Sequence, residues 1–258
     1  MAFQRYVALG DSFTEGVGDI DPARPNGVRG WADRVAEVLA KQTPDFRYAN
    51  LAIRGRKLDA ILTEQIPVAL DMRPDLITIY AGANDIMRPK VDIEALADRY
   101  DAALGTLAAT GARLLVWTAF DPGGSAIYRP LRGRFALYNE FVRHSVARHG
   151  ADLVDFWWMR DYRNWDYWDP DRMHMGPIGH QRMAIEVLSV LGVDHDLRPL
   201  PVPERAALSA AEQRRVNARW TREHFVPWIG RRVTGRSSGD GLSPRRPRLA
   251  PLAQTPDA

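Results

Sequence analysis

The chain has 258 residues, of which 45% are hydrophobic and 26% are charged, and both values are ordinary for a globular protein. No apolar run approaches the roughly eighteen residues of a membrane span, and the absence of cysteine excludes disulfides, thiolate metal sites and a cysteine nucleophile. The net charge of +3 is unevenly distributed along the chain. From Glu204 onward, eleven arginines and five acidic residues give a net charge of +6, which leaves −3 for the preceding residues. The negative charge of the preceding residues argues against a nucleic-acid partner.

Strands and helices alternate along the first three quarters of the chain. Predicted strands cover about residues 5–9, 47–51, 76–80, 113–118 and 152–156. Predicted helices cover about residues 31–42, 58–70, 92–109, 131–149 and 177–191, with apolar residues at helical spacing and Pro67 expected to kink or shorten the second one. This alternation favours a parallel sheet covered on both faces. The sequence therefore predicts a three-layer α/β/α sandwich with a parallel sheet of about five strands.

The first predicted strand ends in a turn that carries a serine. Gly10, Asp11 and Ser12 follow the apolar run of residues 5–9 directly. Ligands of open α/β sheets bind beyond the carboxyl ends of the strands, so Ser12 lies where a nucleophile could meet a substrate. A serine hydroxyl is a weak nucleophile until a base takes its proton, and the rest of the chain must supply that base.

The loop after the fifth predicted strand offers a base and a carboxylate. Asp171 and His174 are three residues apart, a spacing that places both side chains on one face of a turn. In the catalytic interpretation Ser12 attacks an acyl carbonyl, and His174 accepts its proton and later donates it to the leaving alcohol. Asp171 then fixes the tautomer of the imidazole. His180, next to Gly179, is expected to be a structural histidine.

Donors for a tetrahedral oxyanion follow the first three strands. The candidates are the backbone N–H groups of Ser12 and Gly55 and the side-chain amide of Asn84. Each residue also has a structural interpretation. Ser12 could cap a helix, Gly55 could supply a positive φ, and Asn84 could form a turn. Their joint occurrence with Asp171 and His174 favours the catalytic interpretation.

Four sequence blocks resemble the SGNH hydrolases, also called the GDSL esterase/lipase family. They are residues 10–12, Gly55, residues 82–85 and residues 171–174, and they occur in the family's order between about residues 5 and 192. The resemblance implies a flavodoxin-like sandwich and a serine esterase that works through an acyl-serine intermediate. It implies a triad of Ser12, Asp171 and His174, with oxyanion donors at Ser12, Gly55 and Asn84. The turn at Ser12 lacks the second glycine of G-x-S-x-G, which disfavours the α/β-hydrolase fold.

Other functions remain open beside ester hydrolysis. An acyltransferase would use the same residues, with an alcohol in place of water. A non-catalytic acyl- or glycan-binding relative is disfavoured by the intact set of Ser12, Asp171 and His174. We expect no cofactor and no metal, because phosphate-binding, dinucleotide-binding and zinc motifs are absent. Because the first predicted strand begins by Arg5 and leaves no room for a signal peptide, we expect a cytoplasmic protein with a small-molecule ester substrate.

Trp and Tyr residues are concentrated just before Asp171. They could pack their long loop onto the fold, or one or two of them could wall an acyl or glycosyl pocket, with Trp165 and Trp168 as tentative candidates. Because this loop and residues 121–130 are expected to lie beside the site, we expect the substrates to be short or medium acyl esters, including acetyl esters, rather than long triglycerides. The aromatic residues concerned are Trp157, Trp158, Tyr162, Trp165, Tyr167 and Trp168.

Residues 197–258 form an Arg-rich C-terminal extension to a domain of residues 1–196. After a Pro-rich linker, Ser209 and Glu212 have the spacing of a capping box and predict a helix over about residues 209–226. The aromatic residues Trp220, Phe225 and Trp228 favour packing of this helix on the domain over contact with an anionic surface. From residue 236 onward, Ser, Gly, Pro and Arg predict disorder.

Overall fold

In the part of the chain that the structure describes, six strands form one sheet at the centre of the fold. The computed structural model describes residues 2–125, 128–204, 206, 208–234 and 237–252, without the side chains of residues 231–233. The sheet has the order β5-β4-β3-β1-β2-β6, in which the first five strands along the chain are parallel and β6 is antiparallel to β2. The predicted α/β fold is confirmed, and the sixth strand is an addition to it. The strands are β1 (Arg5–Leu9), β2 (Arg47–Asn50), β3 (Leu76–Ile79), β4 (Arg113–Trp117), β5 (Asp152–Val154) and β6 (Arg246–Ala250).

Helices cover both faces of the sheet, and the five predicted from residues 31–191 begin and end within one or two residues of their expected bounds. Helices α2 and α8 pack on one face around Trp31 and Trp117, whereas α4, α6 and α7 pack on the other around Tyr100 and Phe135. The described helices are α1 (Ser12–Glu15), α2 (Gly30–Gln42), α3 (Leu58–Ala60), α4 (Ile66–Asp71), α5 (Ala83–Ile86), α6 (Ile93–Ala108), α7 (Arg132–His149), α8 (Pro177–Leu191), α9 (Ala210–Trp220) and α10 (Val226–Val233).

The central strand β1 shows why the sequence folds this way. Its side chains alternate between the two apolar layers, with Tyr6 and Ala8 on one face and Val7 and Leu9 on the other. All four are fully buried, as expected for an inner strand of a parallel sheet with helices on both sides. The turn that carries Ser12 is therefore attached to the most deeply buried part of the fold.

Two prolines each follow a segment of π-helix. Residues Ile61–Gln65 widen the helix between α3 and α4, and Thr221–Phe225 do the same between α9 and α10. Pro67 and Pro227 are each the second residue of the following helix. Because proline has no N–H for the bond to the carbonyl four residues earlier, the chain takes a wider turn before it. Pro67 thus perturbs its helix, as expected, without ending it.

The C-terminal extension is more ordered than its composition predicts. Helix α9 starts after Ser209 with the expected capping box, and the helix continues through α10 beyond the predicted end at residue 226. The prediction of disorder from residue 236 onward is wrong for residues 246–250, which form β6 on the edge of the sheet. Residues 235–236 and 253–258 lie outside the described residues. The composition of a segment predicts disorder from its own low apolar content. It does not reveal the long-range contacts that order β6, which are its pairing with β2 and the buried ion pair of Arg245 with Asp33.

Candidate active site

A cavity of about 370 Å³ brings the predicted site residues together. Ser12, Gly55 and Asn84, which follow β1, β2 and β3, line it together with Asp171 and His174 from the loop after β5. The cavity therefore lies at the carboxyl edge of the parallel strands, where ligands of open α/β sheets bind. Its volume is at the lower end of the range for small-molecule sites.

Asp171 and His174 form a direct pair. His174 Nδ1 lies 2.6 Å from Asp171 Oδ2, and Asp171 Oδ1 accepts the backbone N–H groups of Met173 and His174 at 2.8 and 2.9 Å. Arg172 takes a left-handed conformation, with φ of 58°, to close this turn. The bond at Nδ1 fixes the orientation of the ring and leaves Nε2 as the nitrogen that can exchange a proton with another group.

Burial and charge act in opposite directions on this pair. Burial by itself would lower the pKa of His174, but the hydrogen bond and negative charge of Asp171 outweigh it and raise the pKa above its ordinary value. Burial by itself would raise the pKa of Asp171, and the bond to His174 lowers it instead. The arrangement therefore stabilises an imidazolium beside an ionised carboxylate, which is the state a histidine base reaches after taking a proton.

The Ser12 turn is held by its neighbours. Gly10 has a φ of +144°, and a Cβ atom there would lie 2.6 Å from the Tyr80 carbonyl oxygen, so this tight turn requires glycine. Asp11 caps α1 by accepting the Phe13 N–H at 3.1 Å. Among the described residues no hydrogen bond joins the Ser12 hydroxyl to His174, so the two side chains share the cavity without a direct bond.

A buried glutamate, Glu15, fixes the loop that contains Gly55. Its carboxylate accepts the Arg54 backbone N–H at 2.6 Å and forms an ion pair with the Arg54 guanidinium at 2.6 Å. Gly55 has a φ of +76°, and no acceptor within the described ranges meets its backbone N–H or that of Ser12. The sequence analysis missed Glu15, although a carboxylate three residues after a candidate nucleophile was the available signal.

Asn84 is tied to the Ser12 turn through Asp11. Its Nδ2 donates to Asp11 Oδ2 at 2.8 Å and to the Arg56 carbonyl oxygen at 3.1 Å. One of these bonds must open or be shared for Asn84 to donate to an oxyanion. Burial raises the pKa of Asp11 to about 7, although the Phe13 N–H and the charge of His174 oppose that shift. The sequence motif identifies Asp11 only as a neighbour of Ser12. The structure shows that Asp11 joins the Ser12 turn to Asn84, which follows β3.

The two tryptophans proposed as substrate-binding residues have different positions. Trp168 lines the cavity, and its Nε1 donates to the Tyr162 carbonyl oxygen at 2.7 Å. Trp165 does not line this cavity. Its side chain is 42% exposed, and the Arg172 guanidinium lies 5.6 Å from its ring centroid. The structure therefore brings Trp168 to the candidate site and does not bring Trp165 there.

His180 is placed as a structural residue. Its Nδ1 accepts the Trp31 backbone N–H at 3.1 Å, so Nε2 carries the proton and donates to the Val17 carbonyl oxygen at 3.2 Å. Burial lowers the pKa of His180 to about 4, which keeps the ring neutral at physiological pH. His180 supports the start of α2 and the loop after α1, whereas His174 lines the cavity.

The described residues contain no group of three or more His, Asp or Glu side chains placed to hold a metal ion. In the same part of the chain, no helix combines the length and apolar character needed to cross a bilayer. The expected absence of a metal and a cofactor stays a prediction.

The match to a family of lipases and acylhydrolases shows that this α/β protein is a carboxylic ester hydrolase. The chain belongs to the GDSL-like lipase/acylhydrolase family, whose model matches residues 8–182. The resemblance inferred from the four sequence blocks is thereby confirmed. The family match ends before the C-terminal extension begins.

Solved structures with 16–21% sequence identity share the fold. A catalytic mutant of Axe2, an acetylxylan esterase from Geobacillus stearothermophilus, has a TM-score of 0.63 and 18% identity, with 74% of this chain and 95% of that chain covered. A putative GDSL-like lipase from Parabacteroides merdae has a TM-score of 0.63 and 21% identity, with 74% and 96% covered. The psychrotrophic esterase EstA from Pseudoalteromonas sp. has a TM-score of 0.56 and 16% identity, with 73% and 97% covered. Among curated protein sequences, none matches significantly.

Proposed function

We propose that this hydrolase cleaves short or medium acyl esters with Ser12 as nucleophile, His174 as general base and acid, and Asp171 as the group that orients the imidazole. The observation that carries the proposal is the 2.6 Å bond between Asp171 and His174 at the wall of the cavity that also contains Ser12. Family membership supports the same reaction class.

In the first half of the reaction, His174 Nε2 takes the Ser12 proton as Oγ bonds to the ester carbonyl carbon. The resulting oxyanion accepts the backbone N–H groups of Ser12 and Gly55 and an N–H of Asn84. The intermediate then breaks its bond to the alcohol oxygen, which leaves with the proton from His174. A direct bond from Ser12 to His174 forms when substrate binds, because catalytic hydrogen bonds often tighten only in that complex.

In the second half, water replaces the alcohol. His174 takes a proton from water while the hydroxide oxygen bonds to the acyl carbon of the acyl-Ser12 intermediate. Collapse of the second tetrahedral intermediate releases the carboxylic acid and returns the proton to Ser12. The volume of about 370 Å³ and the aromatic lining from Phe120, Phe156 and Trp168 support a compact apolar acyl group. The cytoplasmic location stays a prediction.

Turnover of p-nitrophenyl esters from acetate to dodecanoate tests this proposal. We expect the wild type to hydrolyse the short and medium esters, and Ser12→Ala to lower kcat by on the order of 10⁴–10⁶. Ser189→Ala is the matched control, because Ser189 is exposed on α8 away from the cavity. Retention of wild-type turnover by Ser12→Ala would refute the assignment of the nucleophile.

A further inference from the structure

The C-terminal extension lines part of the candidate active-site cavity. The residues it contributes lie beyond residue 182, where the match to the family ends. They come from the continuous helix formed by the π segment and α10 and from the chain before β6, so two separate parts of the extension meet at the cavity. The cavity is therefore built jointly by the domain and the extension. The lining residues of the extension are Glu223, His224, Pro227, Trp228, Ser237 and Ser238.

Contacts at the end of α9 hold the extension against the loop that contains Asp171 and His174. Trp220 is buried at the end of α9, and its Nε1 donates to the backbone carbonyl oxygen of Asp171 at 2.9 Å. Arg172 donates to Asn217 Oδ1 at 3.0 Å and places its guanidinium 5.0 Å from the Trp220 ring centroid. This attachment fixes the start of the lining segment beside the proposed triad.

Contacts of β6 and Arg245 hold the later part of the extension against the sheet and α2. Strand β6 pairs with β2, and Arg245 forms an ion pair with Asp33 in which both side chains are fully buried. Arg245 also donates to the Arg29 carbonyl oxygen at 2.9 Å. These contacts and those of Trp220 lie on either side, along the chain, of the residues that line the cavity.

A series of neighbouring aromatic rings runs from Trp220 in the extension to Tyr128 in the domain. Trp220 lies 5.7 Å from Phe225, Phe225 lies 5.8 Å from Trp228, and Trp228 lies 6.0 Å from Tyr128, measured between ring centroids. Tyr128 belongs to the domain and lines the cavity too. Trp228 is therefore the large apolar side chain through which the extension meets the domain at the cavity wall.

Close packing continues next to the proposed oxyanion donor. A Cβ atom on Gly55 would lie 2.1 Å from Ser237 Oγ, and a Cβ atom on Gly239 would lie 2.1 Å from the Arg54 carbonyl oxygen. The side chain of Ser237 thus packs directly against Gly55. Both the acyl-binding wall and the Gly55 loop are in contact with the extension.

We propose that the extension determines which acyl groups the enzyme accepts and that Trp228 is its specificity-determining residue. The proposal rests on the ester hydrolysis proposed above. The indole of Trp228 lines the same cavity as Phe120 and Phe156 and takes up part of its space, so esters with short apolar acyl groups fit better than longer chains. A smaller side chain at this position leaves space for additional methylene groups. One methylene in an apolar pocket changes kcat/KM by about 10–200-fold, so the size of this side chain is sufficient to set a chain-length preference.

The test compares kcat/KM for p-nitrophenyl acetate, butyrate, octanoate and decanoate between the wild type and Trp228→Ala. We expect the octanoate-to-acetate ratio to rise by at least about tenfold in the variant. Trp228→Phe should give a ratio between the two. Ile229→Ala is the matched control, because Ile229 is the next residue of α10, is 39% exposed and does not line the cavity. It should keep the wild-type ratio.

The outcomes separate this inference from the proposed function. If the wild type shows no hydrolysis that depends on Ser12, the proposed function fails. If that hydrolysis is present and both Trp228→Ala and Trp228→Leu keep the wild-type ratio, the extension does not set specificity and the inference is overturned. Thermal unfolding shows whether a variant is folded. If Trp228→Ala is not folded, Trp228→Leu, which retains an apolar side chain, decides the question by the same ratio.

Discussion

The domain and its C-terminal extension contribute to the same cavity in different ways. In the domain, Ser12, Gly55 and Asn84 lie in the turns and short helices that follow β1, β2 and β3, so their meeting point is determined by the sheet. In the extension, Trp228 and Ser237 line the cavity in a segment that Trp220 and Arg245 attach to the domain on either side. The comparison indicates that the parallel sheet positions the proposed catalytic residues, whereas the shape of the pocket also depends on tertiary contacts made later in the chain.

The largest expected effect distinguishes His174 from His180. His174→Ala should lower kcat by on the order of 10⁴–10⁶, because the base and acid of both half-reactions is lost. His180→Ala should instead lower the free energy of unfolding by about 1–3 kcal/mol for each buried group left without a partner, here the Trp31 N–H and the Val17 carbonyl. Ester turnover and urea unfolding of both variants measure these effects. A stable His180→Ala protein with kcat as low as His174→Ala would contradict the assignment of roles.

A smaller decrease in kcat is expected from a substitution of Asn84, in the short helix α5 that follows β3. Asn84→Ala removes one donor to the oxyanion and should lower kcat by about 10²–10³ with little change in KM. The variant also leaves Asp11 without the 2.8 Å bond that joins the two loops. Asn26→Ala is a control, because Asn26 lies outside the cavity and donates to the Ser243 carbonyl oxygen at 3.4 Å. Equal kcat in the two variants would mean that Asn84 has only a structural role.

Removal of a buried charge tests the attachment of the extension. Arg245→Ala leaves Asp33 buried without its closest cation, and the free energy of unfolding should fall by about 3–5 kcal/mol. Burial lowers the pKa of Arg245 to about 9, so the side chain is still charged at neutral pH. Arg222→Ala, at a position with a 78% exposed side chain, should change stability by less than about 1 kcal/mol. Urea titration measures both variants, and equal stabilities would show that the extension does not depend on this ion pair.

Local signals explain which parts of the molecule the sequence predicts. Apolar runs and helical spacing locate the five parallel strands and their helices, and the spacing of Asp171 and His174 predicts their contact. Strand β6 has no such signal, because Arg246 and Arg248 interrupt its apolar residues and its partner β2 lies some two hundred residues earlier. The position of Trp228 at the cavity likewise depends on packing that no local pattern encodes.

The smallest expected effect concerns the pH at which activity is half maximal. His174 must be neutral to act as a base, so kcat/KM should fall as pH decreases through its pKa, with a midpoint above the ordinary histidine value near 6.5. Burial lowers this pKa, and the strongest opposing influences come from Asp171, Asp11 and Asp169, which all raise it and belong to the domain. Asp11, whose pKa burial raises to about 7, stabilises the imidazolium in its ionised form, so Asp11→Asn should move the midpoint to lower pH. Trp228→Ala should leave the midpoint unchanged. A midpoint shift in Trp228→Ala as large as that in Asp11→Asn would show that the extension also controls the charge of His174.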